Sequence, residues 1–153
     1  MSLLKEHRGN LFNKIPSILN QYNEFLSEAK NDLELSGKTL GDASKEHPSL
    51  QMYYHERLVE LNTLLKYCEM ELNKVKSLLY VDLVKNSKMA LSDREREKFI
   101  MGEDKFITMN KVWLEVKELH DKFDAVYGAF ISRGYSLNNI TKARVASIED
   151  AIL

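Results

Sequence analysis

"YHERLVELNTLLKYCEMELNKVKSLL", residues 54–79, sets Tyr54, Leu58, Leu61, Leu65, Cys68, Leu72, Val75 and Leu79 at alternating intervals of four and three. Side chains so spaced fall on one seam of an α-helix, and the seam runs for about four heptads. Leu64 and Leu78 widen it on one flank. A seam this long needs an equally long partner. The helix is expected from Pro48 to about Lys85.

The partner lies on the C-terminal side. Ser92 followed by Glu95 has capping-box spacing, so a third helix is expected to start at Asp93. Its stripe is Phe99, Phe106, Met109, Trp113, Val116, Phe123, Tyr127 and Phe130, with Gly102 and His120 filling two further positions. The helix is expected to end at Ser132–Arg133, with Gly134 closing it in the left-handed conformation. Ser136 would then cap a short fourth helix carrying Leu137, Ile140, Ile148 and Ile152. On the N-terminal side, Ile15, Ile18, Leu19, Tyr22, Phe25, Leu26, Ala29 and Leu33 form one amphipathic stripe, with Pro16 suited to a first turn. "SGKTLGDASKEHP", residues 36–48, has no apolar period and is expected as a loop, with Gly37 as the residue just past the first helix.

The expected fold is therefore all-α: an antiparallel long-helix hairpin, a shorter N-terminal helix, and a short C-terminal helix after an Arg-Gly-Tyr turn. It is expected as one domain over residues 1–153, with 1–14 as a flexible lead-in and 37–47 as a loop. Helices of nearly forty residues are about 55–60 Å long at about 1.5 Å per residue. The first helix is too short to cover such a hairpin. Ile100, Ile107 and Leu114 stand one position past the main stripe and are candidates for contact with a second copy.

Composition agrees with a helical chain. Of 153 residues, 44% are hydrophobic and 29% charged, with two prolines and six glycines. The formal charge of −1 carries no global signature of a nucleic-acid binder. The lone cysteine allows no intrachain disulfide and fits a reducing, cytosolic compartment. The longest apolar run, "AVYGAFI", is far short of a membrane span.

No motif for catalysis or metal binding is present. None of His7, His47, His55 and His120 follows a glutamate by three residues, and His-Glu-x-x-His and Cys-x-x-Cys are absent. Cys68 stands among leucines, where a packing role is expected rather than a reactive thiol. Neither glycine-rich phosphate loop occurs. The chain is read as a non-enzyme without cofactors or metal.

Local charge is more telling. From Lys74 to Lys98 there are seven basic residues against four acids, with Tyr80 among them. Cations neutralise phosphates and a ring can stack on a base, a pairing that suits single-stranded nucleic acid. A second basic excess comes from Arg133, Lys142 and Arg144 in "ISRGYSLNNITKAR", residues 131–144.

That last stretch carries a resemblance. Arg133-Gly134-Tyr135, the aliphatic Leu137, Asn139–Ile140 and Arg144 resemble the C-terminal signature of the UvsY-type recombination mediators of tailed phages. "KVWLEVKELHDKFDAVYGAFISRGY" is similar to the helix leading into that signature. "YHERLVELNTLLKYCEMELNKVKSLLY" is similar to the family's earlier, lysine-ended helix. The resemblance spans roughly residues 47–146. It implies a non-enzymatic mediator in the cytoplasm of an infected bacterial host. Such a protein binds single-stranded DNA and helps a RecA-type recombinase displace single-strand-binding protein. It also implies a ring-like homo-oligomer, for which a heptamer is one candidate size, and no membrane partner. The implied DNA-binding residues are Lys74, Lys76, Tyr80, Lys85 and Lys88, with Arg133 and Arg144 as contributors. The implied oligomer contacts add Tyr135, Leu137 and Ile140 to Ile100, Ile107 and Leu114. "LLYVDLVKNSK" departs from the family, having one tyrosine, an aspartate and no glycine where the family has a denser lysine turn. The alternative reading is a helical scaffold or adaptor that binds a partner helix and no nucleic acid.

Overall fold

The computed structural model describes residues 11–152, with side chains through residue 147. Four helices occur in them: α1 (Leu11–Leu33), α2 (Leu40–Asn86), α3 (Asp93–Gly102) and α4 (Asp104–Ile152). The remaining described residues form short connections, and the all-α class holds. The chain divides into two compact units. Unit 1 comprises residues up to Glu60 and from Asp121 onward; unit 2 is Leu61–His120. The expected lead-in lies outside the described residues up to residue 10, and 11–14 form the first turn of α1.

Unit 1 is a three-helix arrangement around aromatic rings. The α1 stripe points inward: Ile15, Ile18, Leu19, Tyr22 and Ala29 are buried. The Tyr54 ring on α2 stacks on Phe130 of α4, 4.7 Å between centroids and 20° between planes. Tyr22 meets Phe123 edge-on at 5.7 Å. His55 lies 4.9 Å from Tyr127, and Glu46 reaches Arg133, so α2 and α4 run antiparallel within this unit. The buried tyrosines keep partners for their hydroxyls. Tyr22 donates to Glu60, and Tyr54 donates to Asp32 at 2.8 Å. Burial, reinforced by those carboxylates, pushes both phenols well above their usual range.

Unit 2 has a core of aliphatic, sulfur-bearing and aromatic side chains. Leu61, Leu64 and Cys68 from α2 are buried, as are Ile100 from α3 and Phe106, Met109, Val116 and Leu119 from α4. Lys76 on α2 lies 5.9 Å above the Phe106 ring of α4, while Tyr80 further along α2 meets Arg96 of α3. Burial, then Glu71 and Glu69, push the Cys68 thiol up to about 11, which suits an inert packing residue.

Four expectations are corrected. Residues 40–48 are not loop: α2 begins at Leu40, eight residues before Pro48. Thr39 caps it, its Oγ1 accepting from the Asp42 N–H at 3.1 Å and donating to the Asp42 carboxylate at 2.7 Å. Gly37 does take the left-handed conformation, φ 76°, in a turn closed by the Lys38 N–H to the Leu35 carbonyl.

The expected third helix is two. Ser92 and Glu95 form the capping box as read, but the helix stops at Gly102, and Glu103 is extended with φ −73° and ψ 134°. This non-helical residue resets the phase. A stripe extended backward from Phe106 selects Phe99, yet Ile100 faces the core at 3% exposure and Phe99 is 54% exposed. Ile100 is therefore no candidate for an oligomer contact.

The expected stop at Gly134 is absent. α4 continues through it to Ile152, and no described glycine except Gly37 has a positive φ. Ser136 caps nothing: its hydroxyl donates to the Ser132 carbonyl one turn back. Gly134 is needed for closeness instead. A Cβ there would sit 2.6 Å from His47 Nε2. The expected short C-terminal helix is the end of α4, and the side chains of Ile148 and Ile152 lie outside the described residues.

Lastly, Pro16 stands in the second turn of α1 rather than the first.

Candidate nucleic-acid interface

The basic run lies entirely in unit 2, where the end of α2 connects to α3. Lys74 and Lys85 on α2, Lys88 in the connection, and Arg94 and Lys98 on α3 are exposed. Lys76 is half-buried, its ammonium over Phe106, so it supports packing as well as charge.

Three of the four acids in this region, Asp82, Asp93 and Glu95, have partners close by, and Glu97 is exposed. Asp93 pairs with Arg96 at 2.9 Å. Asp82 accepts from Asn86 at 2.5 Å. The Glu95 carboxylate accepts from the Ser92 N–H at 2.8 Å, and these bonds to Ser92 hold its pKa below the usual carboxylate range. These three acids serve local geometry, whereas the lysines extend into solvent.

Tyr80 is held by neighbours on α3. Its ring faces the Arg96 guanidinium at 5.6 Å, and its hydroxyl accepts from Arg96 at 3.2 Å and donates to Asp93 at 3.3 Å. It ties α2 to α3 while staying 40% exposed. Phe99, assigned to the core by periodicity, is the more exposed ring of this region. It lines a groove of about 370 Å³ with Asp82, Leu83, Asn86, Lys88 and Met89. The helix break at Glu103 is the signal that would have found it: "MGED" puts a glycine just before an acidic helix start.

The two arginines of the C-terminal stretch belong to unit 1. Arg133 is the one buried charged side chain among the described residues, 5% exposed. Its guanidinium donates to Glu46 Oε1 at 2.6 Å and to His47 Nδ1 at 3.0 Å. A guanidinium so enclosed has no face to offer a phosphate, and its assignment to DNA contact is corrected to a structural one. Arg144 is exposed. Of the expected oligomer contacts, Ile107, Leu114, Tyr135 and Ile140 are exposed, whereas Leu137 is buried and serves the core of unit 1.

Among the described residues, no group of three or more His, Cys, Asp or Glu side chains could hold a metal ion. No helix among them is long and apolar enough to cross a membrane. Compared with family profiles, curated proteins and solved structures, the chain matches none.

Proposed function

We propose that this protein is a single-stranded-DNA-binding recombination mediator, which helps load a RecA-type recombinase onto DNA covered by single-strand-binding protein. The observation that carries the reading is the cationic end of unit 2. Lys74, Lys85, Lys88, Arg94 and Lys98 are exposed around one helical connection where Asp82, Asp93 and Glu95 are engaged locally. A few cations per subunit bind weakly alone. A homo-oligomer multiplies them along one strand, which reconciles DNA binding with a net charge of −1. Ile107, Leu114, Tyr135 and Ile140 supply exposed apolar surface for such an assembly.

Fluorescence anisotropy with a labelled single strand tests the reading. Binding is expected at low salt and is expected to weaken steeply as salt rises. Lys85→Ala with Lys88→Ala should lower the logarithmic salt slope by about 1.4, about 0.7 for each phosphate no longer neutralised. Absence of binding at low salt would sink the proposal. Light scattering reports the assembly separately.

A second reading is favoured by Leu78, Val81 and Val84, three exposed apolar side chains on α2. They suit a helical adaptor that receives a partner helix. In that case the double lysine variant has no DNA phenotype to lose.

A further inference from the structure

Phe99 and Met89 are 54% and 75% exposed, large apolar side chains left in water beside five exposed cations. Solubility gains nothing from them, and the core of unit 2 is closed by Ile100 instead. They flank the groove whose walls include Asp82, Asn86 and Lys88. At about 370 Å³ it matches the smaller ligand clefts, about 300–1,000 Å³.

The groove has an unusual mixture of walls. One side is an aromatic ring and a thioether, which suit the flat face of a heterocycle. Another is the Asp82 carboxylate with the Asn86 amide bonded to it at 2.5 Å. An ionised carboxylate only accepts hydrogen bonds, so it selects a ligand edge that donates. Lys88 stands at the wall, and Lys85 lies three residues before it at the end of α2.

We propose that this groove is a nucleobase pocket for single-stranded DNA. A base stacks on Phe99 against Met89, and its amino edge donates to Asp82. The flanking phosphates fall to Lys85 and Lys88. The proposal rests on the single-strand reading above and adds a base contact to a phosphate contact. Charge complementarity chooses the occupant. An acidic peptide would also suit the lysines, but it would bring a carboxylate against Asp82. A base that carries an exocyclic amine, such as cytosine, satisfies both walls.

The test uses the full-length protein and three labelled strands of equal length: oligodeoxycytidylate, oligothymidylate and an abasic strand. Wild type should bind the cytidylate most tightly and the abasic strand most weakly. Phe99→Ala should weaken cytidylate binding about five- to 150-fold and leave abasic binding unchanged. Phe99→Trp should restore it, and Asp82→Ala should erase the preference for cytidylate over thymidylate. Equal affinity of wild type for cytidylate and abasic strands overturns the pocket. So does Phe99→Ala binding cytidylate like wild type while the Lys85/Lys88 variant does not; the single-strand reading then survives alone. Failure of wild type to bind any strand overturns both. Phe99-dependent binding of an acidic peptide, with no response to the bases, overturns it in favour of a protein partner.

Discussion

Phe123 in unit 1 and Phe99 in unit 2 are the same side chain in opposite surroundings. Phe123 in unit 1 is fully buried and has Tyr22 edge-on at 5.7 Å and Tyr54 at 6.2 Å. Phe99 in unit 2 is more than half exposed and borders a groove. One arginine of unit 1 makes the same contrast with the cations of unit 2. Arg133 in unit 1 is enclosed and paired, while Lys85, Lys88, Arg94 and Lys98 in unit 2 reach solvent. In unit 1 the Phe123 ring and the terminal nitrogens of Arg133 are engaged by neighbours. At the end of unit 2 a phenylalanine and four cations face solvent, which is what a binding surface requires.

Truncating both phenylalanines is the strongest way to break this contrast. Phe123→Ala should cost about 3–5 kcal/mol, because the ring leaves a cavity among tightly held neighbours. Phe99→Ala should stay within about 0.5 kcal/mol, as for other surface positions. Urea unfolding midpoints measure both. A large loss at Phe99 would mean that the ring is covered in solution, and the open tip of unit 2 would have to be abandoned.

Most of the architecture was legible because heptad spacing reports burial directly. Five of the eight α1 stripe residues are buried, as are Tyr54, Leu61 and Cys68 of the α2 seam, although Leu78 on its flank is exposed, and the Ser92–Glu95 capping box forms. What failed was punctuation. "TLGD" has the Thr-x-x-acid spacing of a helix start, but Gly41 and Pro48 obscured it. Gly134 resembles a stop because glycine is allowed left-handed backbone. Its actual need, room for the His47 ring, depends on a residue 87 positions earlier and leaves no local trace. The candidate site suffered most from this. A single extended residue at Glu103 exchanges Phe99 with Ile100, so the ring assigned to the core borders the groove and the residue assigned to an interface is buried. Spacing reveals which side chains share a face only while the helix stays unbroken.

The packing of unit 1 can be sharpened with two glycines on one helix. Nothing lies within 4 Å of a Cβ added at Gly128, so Gly128→Ala should stabilise by about 1 kcal/mol through helix propensity. Gly134→Ala makes the same propensity gain but drives the His47 ring from its place. Overpacking of this kind costs about 1–3 kcal/mol, so a net loss of about 1 kcal/mol is expected. Thermal unfolding of the pair separates the effects. Stabilisation by both would show that His47 moves aside freely and that the Arg133 network does not hold it.

The smallest expected effect probes that network by pH. Arg133 donates to His47 Nδ1, so this nitrogen must carry a lone pair and the ring must be neutral. Burial first, then the Arg133 charge, hold the His47 pKa below its usual 6.5, against an opposing hydrogen bond to Gln51. Above about pH 6.5 both the folded and unfolded chains hold a neutral ring, and stability is complete with respect to this group. As pH falls, the unfolded chain takes up the proton more readily. Stability therefore declines from about pH 6.5 downward until the folded ring also titrates. Glu46, whose carboxyl is held low by Lys38 and then Arg133, acts in a separate window below its usual 4.5. His47→Asn offers Arg133 a carbonyl oxygen near the Nδ1 position and cannot titrate. Its unfolding midpoint should stay level through the upper window where that of the wild type declines. A wild-type midpoint that is itself level there would mean that Arg133 is held by Glu46 alone, and that the enclosure distinguishing unit 1 from the open end of unit 2 rests on one ion pair.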